Sequence, residues 1–235
     1  MPEHQHVSTQ FDADLDAVIS QVLRMGGLVE KQIIDALAGL SSGDIADLDL
    51  VIAADHEVNA MEVGVDRECS QIIAKRQPTA RDLRLMMAII KTITDLERSG
   101  DEAAKIARMA KQMFERERLT MPRLADIKTA ADIALGMLRK VLDAFARLDT
   151  VAAAAIIRED RAIDDEFRSI LRQLITFMME DPRTISMAIE VIFIAKAIER
   201  IGDHAKNIAE YVIYIVKGTD VRHTSYEFID REAQP

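Results

Sequence analysis

Two stretches of this sequence carry side chains whose spacing suits cation binding. In Ala197–Tyr211, AIERIGDHAKNIAEY, the acids Glu199 and Asp203 stand four residues apart; 102 positions earlier, Leu96–Ala107, LERSGDEAAKIA, repeats the core with Glu97 and Asp101. Glu97, Arg98, Gly100, Asp101, Ala103, Ile106 and Ala107 reappear in order as Glu199, Arg200, Gly202, Asp203, Ala205, Ile208 and Ala209. On a helix, carboxylates four apart lie one above the other on one face, where they repel unless a cation sits between them. The glycine before each Asp costs about 1 kcal/mol of helix propensity relative to Ala, so its presence in both copies points to a close neighbour.

The elements that position these pairs follow from apolar periodicity. Phe11, Leu15, Val18, Val22, Met25, Val29, Ile33, Ala36 and Leu40 mark a first helix over 10–40. Asp44 caps a second, which runs to about Arg76; Gln77-Pro78-Thr79 breaks it, Thr79 can cap, and a third helix continues to about Glu117. The pattern restarts after Thr120-Met121-Pro122, with helices over 127–147, from Thr150 to Asp181-Pro182, and on to Gly218. Asp44, Val51, Ile52, Asp55, Val58 and Asn59 recur 105 positions later as Asp149, Ile156, Ile157, Asp160, Ile163 and Asp164. Short connections make successive helices antiparallel neighbours. The expected fold is all-α, two similar antiparallel three-helix bundles related by duplication: 1–118, then 119–218, with a C-terminal tail at 219–235.

Antiparallel pairing about the Pro78 turn brings Asp55 and Asn59 level with Glu97 and Asp101. Pairing about Asp181-Pro182 brings Asp160 and Asp164 level with Glu199 and Asp203. Asp55, Asp160 and Glu97 share heptad positions with apolar residues, and burying ionised carboxylates without compensation is costly. The compensating charge has two candidate sources. One is protein: Arg98, Arg200, Lys105 and Lys206 are near in sequence. The other is a divalent or trivalent metal ion between facing carboxylates; all-oxygen ligation suits Mg, Mn, Fe or Ca better than Zn. Four acids in the second half against three acids and an amide in the first predict tighter binding by the second. His56 and His204 are read as exposed neighbours, and His4 and His6 as incidental. Glu62 and Asp66 repeat the spacing, but Phe167 and Leu171 replace them in the other half. Met86-Met87 and Met178-Met179 are read as core filling.

Composition narrows the function classes. Forty acidic against thirty basic residues give a net charge of −10, which disfavours nonspecific binding to nucleic acid or anionic lipid. The single cysteine, Cys69, excludes an intramolecular disulfide and a Cys-based zinc site; it reads as a buried thiol in a reducing cytoplasm. Neither a signal peptide nor a membrane-spanning run is recognisable. No P-loop, G-x-G-x-x-G or nucleophile-base constellation is present to suggest catalysis. A ferritin-like di-metal oxidoreductase would need Glu-x-x-His motifs, whereas His204 follows Ile201 at that spacing. A purely structural helical module with salt-bridged acids is the third reading.

The doubled ERxGD core, with MGGLVE at Met25–Glu30, VNAMEV at Val58–Val63, KRQPTARDLR at Lys75–Arg84 and VLDAFARLD at Val141–Asp149, closely resembles the PhoU family of bacterial phosphate-signalling regulators. The resemblance runs from about Phe11 to His223. It implies metal ions on E(D)-x-x-x-D motifs, here Glu97 with Asp101, Asp160 with Asp164 and Glu199 with Asp203; Asn59 departs from the pattern beside Asp55. It further implies a homodimer, a cytoplasmic place peripheral to the inner membrane through partners, and a negative regulator of the Pho response. The partners implied are the PhoR sensor histidine kinase and PstB, the ATPase of the phosphate ABC transporter.

Overall fold

The computed structural model describes residues 9–115 and 125–234. Seven α-helices account for nearly all of them: α1 (Thr9–Ser42), α2 (Ile45–Arg76), α3 (Ala80–Glu115), α4 (Ala125–Arg147), α5 (Thr150–Glu180), α6 (Ile185–Lys217) and α7 (Tyr226–Ala233). No strand occurs among the described residues. The expected break at Thr120-Met121-Pro122, the end of the third helix near Glu117, and His4 and His6 lie outside the described residues.

The boundaries have local causes. Asp44 caps α2, its carboxylate accepting from the Ala46 and Asp47 amides, and Asp149 caps α5 by accepting from the Ala152 amide. Gly218, at φ 76, ends α6 in the left-handed conformation that glycine adopts freely. Between α5 and α6, Pro182–Thr184 forms a 3-10 turn capped by Asp181.

Each half is an up-down-up bundle, α1–α2–α3 and α4–α5–α6, as the duplication predicts. The two halves join chiefly along α3 and α6. These helices run antiparallel: Arg84 of α3 lies beside Gly218, and Glu102 beside Arg200. The two ERxGD copies are therefore at one level, back to back. At Gly26 the backbone of α1 comes so close to α4 that an added Cβ would be 2.5 Å from Leu142. The Glu30–Arg139 ion pair, 2.6 Å, reinforces that contact.

Three expectations change. The tail contains α7: Ser225 caps it, Ile229 and Ala233 are buried, and the Thr150 hydroxyl donates to the Ala233 carbonyl at 2.7 Å. Arg158 pairs with Asp230, and Arg161 stacks on Tyr226. Of the methionines, Met86 is fully buried, but Met87 and Met179 are exposed, Met179 at 79 %, because each lies one helical step off the core face. His204 is buried rather than exposed, since it faces α3 across the junction.

Candidate metal centre

In the first half the paired levels meet as the spacing predicts. An added Cβ at Gly100 would lie 3.0 Å from Gln32 Oε1, 3.3 Å from Val58 and 3.7 Å from Asp55 Oδ1. Glycine there lets α3 come down onto α1 and α2. Partial burial first, then Asp55, raise the Asp101 carboxyl above its ordinary range. Burial first, then Asp101, Glu62 and Asp55, raise Glu97 likewise.

Among the described residues, no Lys, Arg or His forms an ion pair with Asp55, Glu97 or Asp101. Gln32, 4 % exposed, donates through Nε2 to Asp55 Oδ1 at 3.2 Å, while its Oε1 has no hydrogen-bond partner. Asn59 Oδ1 is also buried without a partner. Buried oxygens ordinarily find donors, and these two amide oxygens lie in the same half as Asp55 and Glu97, both half-buried, and Asp101, which is exposed, with Arg98 drawing Glu97 down and Arg108 drawing Asp101 down. These are the hard oxygen ligands that Mg, Mn, Fe or Ca would take. No group of three His, Cys, Asp or Glu side chains among the described residues is gathered closely enough to hold a metal by itself.

The second half has the same backbone arrangement with different chemistry. An added Cβ at Gly202 would meet Ile163 at 3.0 Å and Met137 Sδ at 3.7 Å. Ile163 is the counterpart of Val58, and Met137 stands 105 positions after Gln32, so a thioether occupies the place of the amide. Asp160, buried, accepts from Lys206 Nζ at 2.6 Å; Glu199, also buried, accepts from Lys196 Nζ at 2.6 Å. Arg168 approaches Asp164 at 3.6 Å. Burial, then Glu199 and Asp160, push the Asp203 carboxyl up to about 6 against the pull of Lys196 and Lys206. The first half has Thr94 and Ala104 where these lysines stand. Of the four basic residues considered from sequence, Lys206 meets a candidate ligand, while Arg200 and Lys105 both pair with Glu102.

Behind the two motifs lies a polar cluster that sequence spacing did not reveal. Asp95, 3 % exposed, accepts from His204 Nδ1 at 2.8 Å, Asn207 Nδ2 at 3.0 Å and the Tyr211 hydroxyl at 3.0 Å. A carboxylate only accepts, so the His204 proton sits on Nδ1. His204 is thereby turned away from Asp203 and toward the other half. His56 is exposed and directs Nδ1 at the Ala53 carbonyl. Glu62 accepts from Thr94, and Asp66 is exposed.

A bundle of six long helices with an acid-bearing motif on each inner pair defines the class, and comparison with known proteins specifies it. The PhoU domain model matches residues 22–110 and 127–212, one match in each half. A phosphate-specific transport system accessory protein PhoU homolog from Burkholderia is 49% identical, over 97% of this chain and 98% of its own. The phosphate-specific transport system accessory protein PhoU of Escherichia coli K12 is 46% identical, over 97% and 94%. The crystal structure of PhoU from Pseudomonas aeruginosa is similar at a TM-score of 0.85 and 46% identity, covering 89% of this chain and 100% of that one. That of the phosphate transport system regulatory protein PhoU from Streptococcus pneumoniae gives 0.83 at 28% identity, covering 90% and 99%. This chain belongs to the PhoU family.

Proposed function

We propose that this chain is a noncatalytic adaptor that restrains phosphate uptake and represses the phosphate-starvation response when phosphate is plentiful. It acts between the transporter ATPase PstB and the PhoR sensor kinase, as a homodimer at the cytoplasmic face of the inner membrane. The observation that carries this reading is the extent of the likeness: accessory proteins of the phosphate-specific transport system are matched over nearly their whole length. Among the described residues no helix is long and apolar enough to cross a membrane, which fits attachment through partners.

A metal ion belongs to this reading as a structural charge within the bundle. Asp55, Asn59, Glu97 and Asp101 would hold it in the first half; the corresponding set in the second is Asp160, Asp164, Glu199 and Asp203. When bound, the ion supplies positive charge that fixes α2 against α3. His204 is occupied by Asp95, so it does not complete a ligand set of the ferritin type.

The test is genetic and biochemical. Deleting the gene should switch phosphate-starvation genes on in high phosphate. Purified protein should bind the PhoR cytoplasmic region and PstB. Normal repression in the deletion strain would sink the regulatory reading.

A further inference from the structure

We infer that the groove between α1 and α2 docks a basic amphipathic helix of a partner protein, with Leu50 as the apolar anchor and Asp35, Asp47 and Glu57 as the charged rim. This rests on the adaptor reading and names the kind of surface that a partner brings to it. Asp55, Asn59, Glu97 and Asp101 do not line the groove.

The groove has a volume of about 500 Å³, and its apolar lining includes Leu28, half-buried, with Val51 and Val58, both buried. Leu50, also in the lining, is 69 % exposed. A lone exposed leucine is ordinary on a protein surface. This one shares its helix with Asp47 and Glu57, both exposed and neither in an ion pair among the described residues. On α1, Asp35 pairs with Lys31 one turn back at 2.6 Å, and Lys31 lines the groove too. Three carboxylates against one ammonium leave the rim with a formal charge of −2.

The duplication shows that the bundle does not need these side chains. At a shift of 105, Asp47, Leu50 and Glu57 become Ala152, Ala155 and Ala162. The same shift turns Asp35 and Ala54 into Lys140 and Glu159, which meet at 2.7 Å and strap α4 to α5. The second half closes with an ion pair the place that the first half leaves open, enlarges with leucine and edges with acid.

The occupant follows from length and charge. The lining spans 28–38 of α1 and 47–58 of α2, about 15 Å of each helix, which matches about three turns of a docked helix. Acid on both walls selects lysine or arginine along the edges of that helix, while Leu50 and Val51 receive apolar side chains at its i, i+3, i+4 and i+7 positions. A second copy of this chain, with a net charge of −10, is repelled by the same rim. Nucleic acid and anionic lipid are repelled likewise.

The probe is a synthetic helical peptide of about 14 residues with leucine on one face and lysine along both edges of it, labelled with fluorescein and titrated with the full-length chain by anisotropy. It should bind, and the same peptide with glutamate in place of lysine should not. Leu50→Ala should raise Kd about tenfold, the scale of a truncated apolar anchor. Asp47→Lys should weaken binding, and Asp165→Lys, the same charge change outside the groove, should leave it. The double variant Asp35→Lys, Ala54→Glu, which copies the strap of the second half, should abolish binding. Circular dichroism checks folding; should the double variant not fold, Leu50→Ala and Asp47→Lys, both at exposed positions, decide the matter. Unchanged binding in Leu50→Ala, or equal loss in Asp165→Lys, would overturn the inference. So would a wild-type dimer that Leu50→Ala dissociates in sedimentation equilibrium, which would give the groove to a second copy. The purified PhoR cytoplasmic region and PstB separate this inference from the adaptor reading: at least one should lose affinity for Leu50→Ala. If both bind that variant as they bind the wild type, the inference falls alone; if neither binds the wild type, the adaptor reading falls with it.

Discussion

Asp95 of α3 and His204 of α6 meet 2.8 Å apart across the junction of the two halves, both nearly inaccessible to water. With Asn207 and Tyr211 also donating to Asp95, one carboxylate ties the second half to the first. Asp95→Ala would leave these donors facing a cavity, and breaking a buried polar pair of this kind costs about 3–5 kcal/mol. Urea unfolding should show that loss, with Asp95→Asn retaining part of it.

The glycines separate close approach from open space. Gly202→Ala puts a Cβ 3.0 Å from Ile163, so overpacking should outweigh the gain in helix propensity and lower stability by about 1 kcal/mol. Gly136 in α4 has nothing within 4 Å of an added Cβ, and Gly136→Ala should raise stability by about 0.5–1 kcal/mol. Thermal denaturation of the two variants should order them so, and the reverse order would refute the packing account.

A pH dependence follows from Glu210. Burial lifts its carboxyl from the ordinary 4.5 to about 7, against Lys206 and Arg222 and with Asp220 and Asp160 also facing it. Between those values the folded chain keeps a proton that the unfolded chain has released. Its contribution to stability therefore declines as pH rises from about 4.5 to about 7, and the loss is complete above that, by at most roughly 3 kcal/mol. Glu210→Gln should flatten this part of the stability profile between pH 5 and pH 8, and an unchanged profile would count against the burial assigned here.

Cys69 is fully buried, and burial first, then Asp66 and Glu68, push its thiol up to about 12. Thiolate is the reactive form, so Ellman's reagent at pH 8 should not label the folded chain and should label it stoichiometrically in guanidinium.

Much of this arrangement was legible because the chain states it twice. Antiparallel pairing about the Pro78 and Asp181-Pro182 turns set the register of α2 on α3 and of α5 on α6, with the repeat giving the same coincidence in each half, and from it came the approach of Asp55 to Asp101. Sequence could name Lys206 as a candidate cation, since it is three residues beyond Asp203 on the same helix. It did not give Lys196 a role, three residues before Glu199, nor Gln32, whose place depends on how α1 lies against α3. Asp95 escaped notice because its partners come from α6 and its counterpart, Ala197, is apolar, so repetition offered no signal. The C-terminal helix did carry one: Ser225 as a cap, then Ile229 and Ala233 four apart on a single face.

That helix bears on how the protein is made. The Thr150 hydroxyl at the start of α5 bonds to the Ala233 carbonyl, 83 residues later, so the second bundle has no clasp while α5 and α6 emerge from the ribosome. The first bundle is free to finish during translation, whereas its sibling gains the contacts of α7 only once the last of the described helices is synthesised. A premature stop after Gly218 would spare every residue of both acidic motifs and still remove the contacts that α7 makes with α5 and α6.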